Sequence, residues 1–231
     1  HALVRNLGNF GKHELLKPIS DHERLVISRL PSEEAIQKGK VHPIGILAAS
    51  KTYAQGHGMR GHNSWEVNAR ILEALDQAFY HAFKCVEPTG KRIQVAIDVS
   101  GSMGVGAIAG VPGLTPRTAA AAMAMILART ERDCYLTAFS GGHPNGYPVG
   151  YPCGNASHGP SARPHMEPIT LTGKTQLSQV EQTLDQADFG ATDCALPMVY
   201  ALEKKIPTDV FIILTDNETW AGPIHVHQAL R

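Results

Sequence analysis

Ile93-Gln-Val-Ala-Ile-Asp98-Val-Ser-Gly-Ser102 is the stretch on which the fold of this chain turns. Its first five residues are apolar but for one glutamine, and they carry no charge. A short run of this kind is what a strand buried on both faces of a parallel sheet requires. The run ends on an aspartate, and two serines follow at alternate positions. Three oxygen-bearing side chains therefore gather where the strand surfaces. Hard cations such as Mg²⁺ take oxygen ligands at about 2.0–2.1 Å in near-octahedral geometry. Asp-x-Ser-x-Ser alone also reads as a plain turn, so the rest of such a site must come from elsewhere in the chain.

Working outward, the pattern from Arg92 onward alternates strand and helix. Thr115-Pro116 caps and opens an Ala/Met-rich helix running to Arg129, and Cys134–Phe139 reads as a second strand. Gln176–Ala187 reads as a helix with Leu177, Val180 and Leu184 on one face. Cys194–Lys205 is a third helix with Pro197 in its first turn, and Val210-Phe-Ile-Ile-Leu214 is a central strand. Such alternation predicts an α/β sheet with right-handed crossovers. Ligands of these sheets bind beyond the carboxyl ends of the strands. Asp98 falls at one such end, and Asp216 falls just past another. Gly190-Ala-Thr192-Asp193 lies in a loop between two helical patterns. The candidate ligands are thus Asp98, Ser100, Ser102, Thr192 and Asp216. Two carboxylates at one point repel each other, and a divalent cation offsets that repulsion. Three neutral hydroxyls leave the ion its Lewis acidity and a position for an outside carboxylate or phosphate. Taken singly, each piece also reads as a helix cap or a turn.

Residues 1–84 read differently, as helices joined by turns. Leu25, Val26 and Leu30 have helical spacing ended by Pro31, and Ser32 caps a short helix with Glu33 and Glu34 in its first turn. Pro43–Ala54 is a further helix with Gly56 beyond its end. Ser64 is the expected cap of the clearest helix, whose stripe is Ile71, Leu72, Leu75, Phe79, Ala82 and Phe83. No strand pattern precedes Glu87-Pro-Thr-Gly90. Residues 141–168 hold six glycines and six prolines, so they read as an insert loop rather than an element. Their His143, Cys153, His158 and His165 lack metal-finger spacing, which argues against zinc.

The formal net charge is zero, but residues 1–92 carry 13 Lys/Arg against 9 Asp/Glu while residues 93–231 carry 8 against 12. The first segment suits a polyanion and the second a cation. No apolar run approaches a membrane span and no signal-peptide pattern opens the chain, so a soluble, cytoplasmic protein is expected. Four scattered cysteines without a Cys-x-x-Cys pair fit reduced thiols. Catalytic motifs fail on inspection. Gly173-Lys-Thr175 lacks the upstream glycine of a phosphate loop, since position 168 is proline. Ser102 is not in a Gly-x-Ser-x-Gly elbow, and no His-Glu-x-x-His occurs. Asp98 lacks the second aspartate of phosphoryl-transferring loops. No nucleophile–base pair emerges, so the expectation is binding, not catalysis.

The Asp98–Ser102, Thr192 and Asp216 segments resemble the metal-ion-dependent adhesion site (MIDAS) of von Willebrand factor A domains. Further stretches resemble the Ro autoantigen (TROVE) family. They are Arg5-Asn-Leu-Gly8, Val41-His-Pro43, Lys51-Thr-Tyr-Ala-Gln-Gly-His-Gly-Met-Arg-Gly61 and Glu87-Pro-Thr-Gly-Lys-Arg92, followed by Arg129-Thr-Glu131, Ala138-Phe-Ser140, Gly190-Ala-Thr-Asp-Cys-Ala-Leu-Pro-Met198 and Thr215-Asp-Asn-Glu-Thr-Trp220. The resemblance implies residues 1–90 as the last helices of a HEAT-like RNA-binding ring. It implies 91–231 as a von Willebrand A-type, doubly wound, mainly parallel α/β sheet lacking its final strands, with 141–168 as an insert. It implies a non-catalytic ribonucleoprotein component that binds Y RNA and misfolded non-coding RNA in quality control, in bacteria together with an exoribonuclease. Mg²⁺, or Mn²⁺ or Ca²⁺, would occupy the five-residue site. Lys51, His57 and Arg60 are the candidate RNA contacts. The alternative is an A-domain module that captures an acidic protein ligand through the metal, with no RNA role.

Overall fold

β1 (Arg92–Asp98) is buried from Ile93 to Asp98 because it has a neighbour on each side. β2 (Asp133–Ser140) and β4 (Val210–Leu214) flank it, both parallel, with Ile97 opposite Ala138 on one side and Leu214 on the other. β3 (His165–Pro168) adds an antiparallel strand outside β2, so the order is β3-β2-β1-β4. The computed structural model describes residues 2–58, 63–141, 164–187, 190–216, 219 and 221–231. These form two compact units, one of residues 1–87 with 107–114 and one of residues 88–106 with 115–231.

In the second unit the chain passes from β1 to β2 through α6 (Pro116–Thr130). It reaches β4, on the other side of β1, through α7 (Leu177–Gln186) and α8 (Leu196–Lys204). The winding direction therefore reverses at β1, and a crevice opens beyond its carboxyl end. One face of the sheet packs Ala96 and Phe139 against Cys194, Leu196, Ile213, Met166 and Val226. Gln94 shares this face by strand alternation, and its amide donates to the Pro197 carbonyl at 3.2 Å. α6 covers β1 and β2, and its buried Ala120, Ala121, Ala122 and Ala124 let backbone approach backbone. Thr115 starts that helix by accepting the Thr118 N–H at 3.1 Å, with Pro116 at its first position. A short α9 (Val226–Ala229) follows the sheet.

The entry to β1 is fastened twice. Arg92 and Asp209 form a multiple hydrogen-bonded ion pair, with backbone N–H and Nε both at about 3 Å from the Asp209 Oδ2. Glu131, just past α6, is 7% exposed and accepts the peptide N–H groups of Thr89 (2.7 Å) and Gly90 (3.2 Å). These bonds, the Thr89 N–H first, hold the Glu131 carboxyl below its ordinary range.

The first unit comprises α1 (Ala2–Lys12), α2 (Asp21–Arg29), α3 (Glu33–Lys38), α4 (Pro43–Ala54) and α5 (Ala69–His81). α5 buries Ile71, Ala74, Leu75, Ala78 and Phe79, the helical stripe, against α4 and α2. Trp65 fits against the two glycines of α1, and its indole N–H donates to the Tyr53 carbonyl at 2.9 Å.

Three expectations need correction. Ser64 does not cap α5: it pairs with His57 in an isolated antiparallel bridge, and residues 65–67 between it and Asn68 are outside any helix. Asn68 is the cap, accepting the Arg70 N–H at 2.9 Å while donating to Leu16 O and the fully buried Glu23. The insert is not loop throughout, because His165–Pro168 pairs with β2. Glycine and proline averaged over the whole segment obscured a final stretch without glycine, whose proline sits at a sheet edge where it is tolerated. His143, Cys153 and His158 lie outside the described residues. Finally, β4 is outermost among the described strands, not central.

Candidate metal centre

Each sequence-selected oxygen is delivered to the crevice by a different backbone event. β1 ends at Asp98, whose Oδ1 accepts the Ser100 N–H at 2.8 Å. This Asx-type bond turns the chain immediately after the strand. A 3-10 turn over Gly101–Gly104 then carries Ser102 back towards the sheet. Gly104 sits close to Arg117, since an added Cβ would lie 3.1 Å from its Nη1. Arg117 is in turn ion-paired with Asp185 of α7. β4, in register with β1, delivers Thr215 and Asp216 one and two residues after Leu214.

The five side chains are joined by two hydrogen-bond chains. Ser100 Oγ lies 3.1 Å from Ser102 Oγ, and Ser102 Oγ donates to Asp216 Oδ1 at 3.1 Å. Thr192 Oγ1 donates to Asp98 Oδ2 at 3.1 Å. The structure therefore brings together Asp98, Ser100, Ser102, Thr192 and Asp216. Asp98 and Thr192 are almost fully buried, at 1% and 2% exposure, whereas Ser102 and Asp216 are exposed. A site with an enclosed floor and an open rim results. Its donor set is two carboxylates and three hydroxyls, all hard oxygen, the set suited to Mg²⁺-like ions and not to thiolate-seeking metals. Among the described residues no three His, Cys, Asp or Glu side chains converge as a metal nest; here hydroxyls supply the missing donors.

Several residues of the centre escaped the sequence. Thr215 donates to Asp98 Oδ2 at 2.7 Å, closer than Thr192. Thr219 pins the Thr192 loop from the other side, accepting the Cys194 N–H at 3.1 Å and donating to Thr192 O at 3.3 Å. Asp193 is buried beneath that loop, where it accepts the Ala195 N–H at 3.0 Å. Burial pushes its carboxyl above the ordinary range. Gly222, at φ +94°, passes so close that an added Cβ would lie 2.3 Å from Asp193 Oδ2. Only the Thr-Asp dipeptide at 215–216 gave a local signal for Thr215, and Thr219 and Gly222 act on partners distant in sequence.

The remaining candidates are scattered. Lys51 is in the last turn of α4, and His57 stands exposed beyond its end with Nδ1 3.3 Å from Gly58 O. Arg60 lies outside the described residues. No helix among the described residues is long and apolar enough to cross a membrane.

A doubly wound sheet with Asp-x-Ser-x-Ser at its switch point, and threonine and aspartate supplied by later loops, defines a von Willebrand A-type α/β domain. The family model described as the Ro60 vWA domain matches residues 92–231, and the chain belongs to that family. It is 39% identical to the RNA-binding protein RO60 of Deinococcus radiodurans over 229 residues, 99% of this chain and 39% of that protein. It is 36% identical to the RNA-binding protein RO60 of Caenorhabditis elegans over 232 residues, all of this chain and 32% of that one. The crystal structure of the D. radiodurans RO (RSR) protein superposes with a TM-score of 0.85 at 39% identity, covering 99% of this chain and 42% of that one. The chain thus spans well under half the length of these relatives.

Proposed function

We propose that this chain serves in a non-catalytic, Ro-type RNA-binding protein, and that its A domain holds a divalent cation through which an outside acidic group is captured. The observation that carries the metal reading is the linkage of Asp98 and Asp216 to Thr192, Ser100 and Ser102 by hydroxyl hydrogen bonds at one crevice. Each hydroxyl can hand its proton to a carboxylate or a neighbouring hydroxyl while its lone pairs face an ion. Mg²⁺ fits this donor set, with Mn²⁺ as its usual surrogate. When bound, the ion supplies a Lewis-acidic coordination position that the chain's own residues leave open. Both relatives are RNA-binding proteins by name, which supports RNA as a partner. The excess of Lys and Arg before residue 93 supports placing RNA contact in the helical unit, as the end of a HEAT-like array. Lys51, His57 and Arg60 are the side chains we assign to it. Non-coding RNAs of the Y class and misfolded small RNAs are the proposed ligands.

The test separates the two activities. Chelator-stripped protein is titrated with Mn²⁺ by calorimetry, and RNA affinity is measured by gel shift with and without EDTA. Asp98→Ala should abolish the calorimetric signal and leave RNA affinity within about twofold. Lys51→Ala with Arg60→Ala should weaken RNA binding and lower its log–log salt slope by roughly 1.4–1.8, the release expected from two phosphate contacts. Loss of RNA binding in EDTA would refute the division of labour. Binding of acidic peptide but no RNA would leave the protein-ligand alternative standing.

A further inference from the structure

Asp98 is the most enclosed group of the centre, and the bonds to its two oxygens are unequal. A carboxylate offers about two lone-pair positions on each oxygen. Oδ2 accepts two hydroxyl donors, Thr215 at 2.7 Å and Thr192 at 3.1 Å. Oδ1 accepts the Ser100 N–H at 2.8 Å. Among the described residues, the capacity left on this carboxylate is therefore on Oδ1. At 1% exposure, water has little access with which to alter that account.

Thr192 can play two parts at once, donating its proton to Oδ2 and turning a lone pair to an ion. Thr215 is differently placed. It follows β4 directly, level with Asp98 in the parallel register, and its branched Cβ restricts χ1. Its bond fixes the rotation of the Asp98 carboxylate. The choice between cations depends on that rotation, because Ca²⁺ takes six to eight oxygens and readily uses bidentate carboxylates, whereas Mg²⁺ requires a compact octahedron.

We propose that Thr215 sets the cation preference of this centre: by filling Asp98 Oδ2 together with Thr192, it makes Asp98 face the ion through one oxygen and so favours Mg²⁺ and Mn²⁺ over Ca²⁺. This assignment rests on the metal reading given above. Thr215 is a positioning residue here, acting through Asp98.

Calorimetric titration of chelator-stripped wild type, Thr215→Val, Thr215→Ser and Thr215→Ala with Mn²⁺, Mg²⁺ and Ca²⁺ tests it. The valine variant keeps the shape and removes the hydroxyl, and the serine variant keeps the hydroxyl. Wild type and Thr215→Ser should share one Mn²⁺-to-Ca²⁺ affinity ratio. In Thr215→Val that ratio should move towards Ca²⁺ by about tenfold, the low end of what outer-shell substitutions do to metal affinity. Thr215→Ala carries the same expectation should valine prevent folding, which the thermal melts reveal. An unchanged ratio in the hydroxyl-free variants, even with weaker overall binding, overturns the role of Thr215 alone. A wild type that takes up none of the three ions overturns it together with the metal reading.

Discussion

Gly11→Ala sets two effects of opposite sign against each other, and the packing of Trp65 decides between them. Alanine is the better helix former, by roughly 1 kcal/mol in a helix interior and less near an end. Gly11 is the penultimate residue of α1, so the gain there is about 0.5 kcal/mol. Against it, an added Cβ would stand 2.7 Å from Trp65 Cβ and 3.0 Å from its Cγ, where carbon atoms prefer about 3.5–4.0 Å. Trp65 cannot swing aside, since the clash is with the root of the side chain. Its backbone N–H is also held by Gly56 O at 2.8 Å and its indole by Tyr53 O at 2.9 Å. Overpacking of this kind costs about 1–3 kcal/mol, so the net expectation is a loss of roughly 0.5–2.5 kcal/mol. Gly45 in α4 is the internal control, because a Cβ there meets nothing within 4 Å. Gly45→Ala, at the third residue of α4, should gain about 0.5 kcal/mol. Urea unfolding followed by circular dichroism measures both. A Gly11→Ala protein as stable as wild type, or a Gly45→Ala protein less stable, would refute the steric account.

Two further outcomes are expected. The lowered Glu131 pKa contributes stability that is present above the ordinary glutamate value of 4.5 and is lost as pH falls through the folded-state pKa; Glu131→Gln should therefore be less stable than wild type at pH 7, with the gap closing below about pH 4.5 in urea titrations, and a pH-independent gap would count against it. Phe139 of β2, with 0% exposure and packed with Ala96 and Cys194, should cost about 3–5 kcal/mol on Phe139→Ala, and a loss below about 1 kcal/mol in the same assay would show that the site repacks.

The parts of the fold that were legible in the sequence are those whose signal is periodic and local. β1 and β4 announce themselves as short apolar runs, and the Thr115-Pro116 start of α6 is written in two adjacent residues. The Pro43–Ala54 helix was bounded correctly because proline and glycine mark its ends. The cap of α5 was missed because both Ser64 and Asn68 are competent caps. Tertiary bonds from Asn68 to Leu16 and Glu23, about fifty residues away, select between them. β3 was missed because four residues paired to β2 carry no periodicity long enough to stand out beside a glycine- and proline-rich stretch. In each case the decisive partner is remote in sequence.

The same distinction explains why the ligand set was visible and its support was not. Ligating residues must be oxygen-bearing and must follow strands, so type and position both betray them. Thr215 and Thr219 need only offer a hydroxyl to a remote partner, Asp98 in one case and the Thr192 loop in the other, and beyond the Thr215-Asp216 dipeptide nothing in their neighbours records it. Their arrangement also answers how two carboxylates can share a crevice. Asp98 is supplied with protons by Thr192, Thr215 and the Ser100 N–H, while Asp216 draws on Ser102. Each negative charge has its own donors and neither depends on the other's. The buried carboxylate has the fuller set, as desolvation demands, and the exposed one turns its remaining acceptor positions to solvent. Substitution of a hydroxyl on the Asp98 side should therefore act on the floor of the centre, and substitution of Ser102 on its rim.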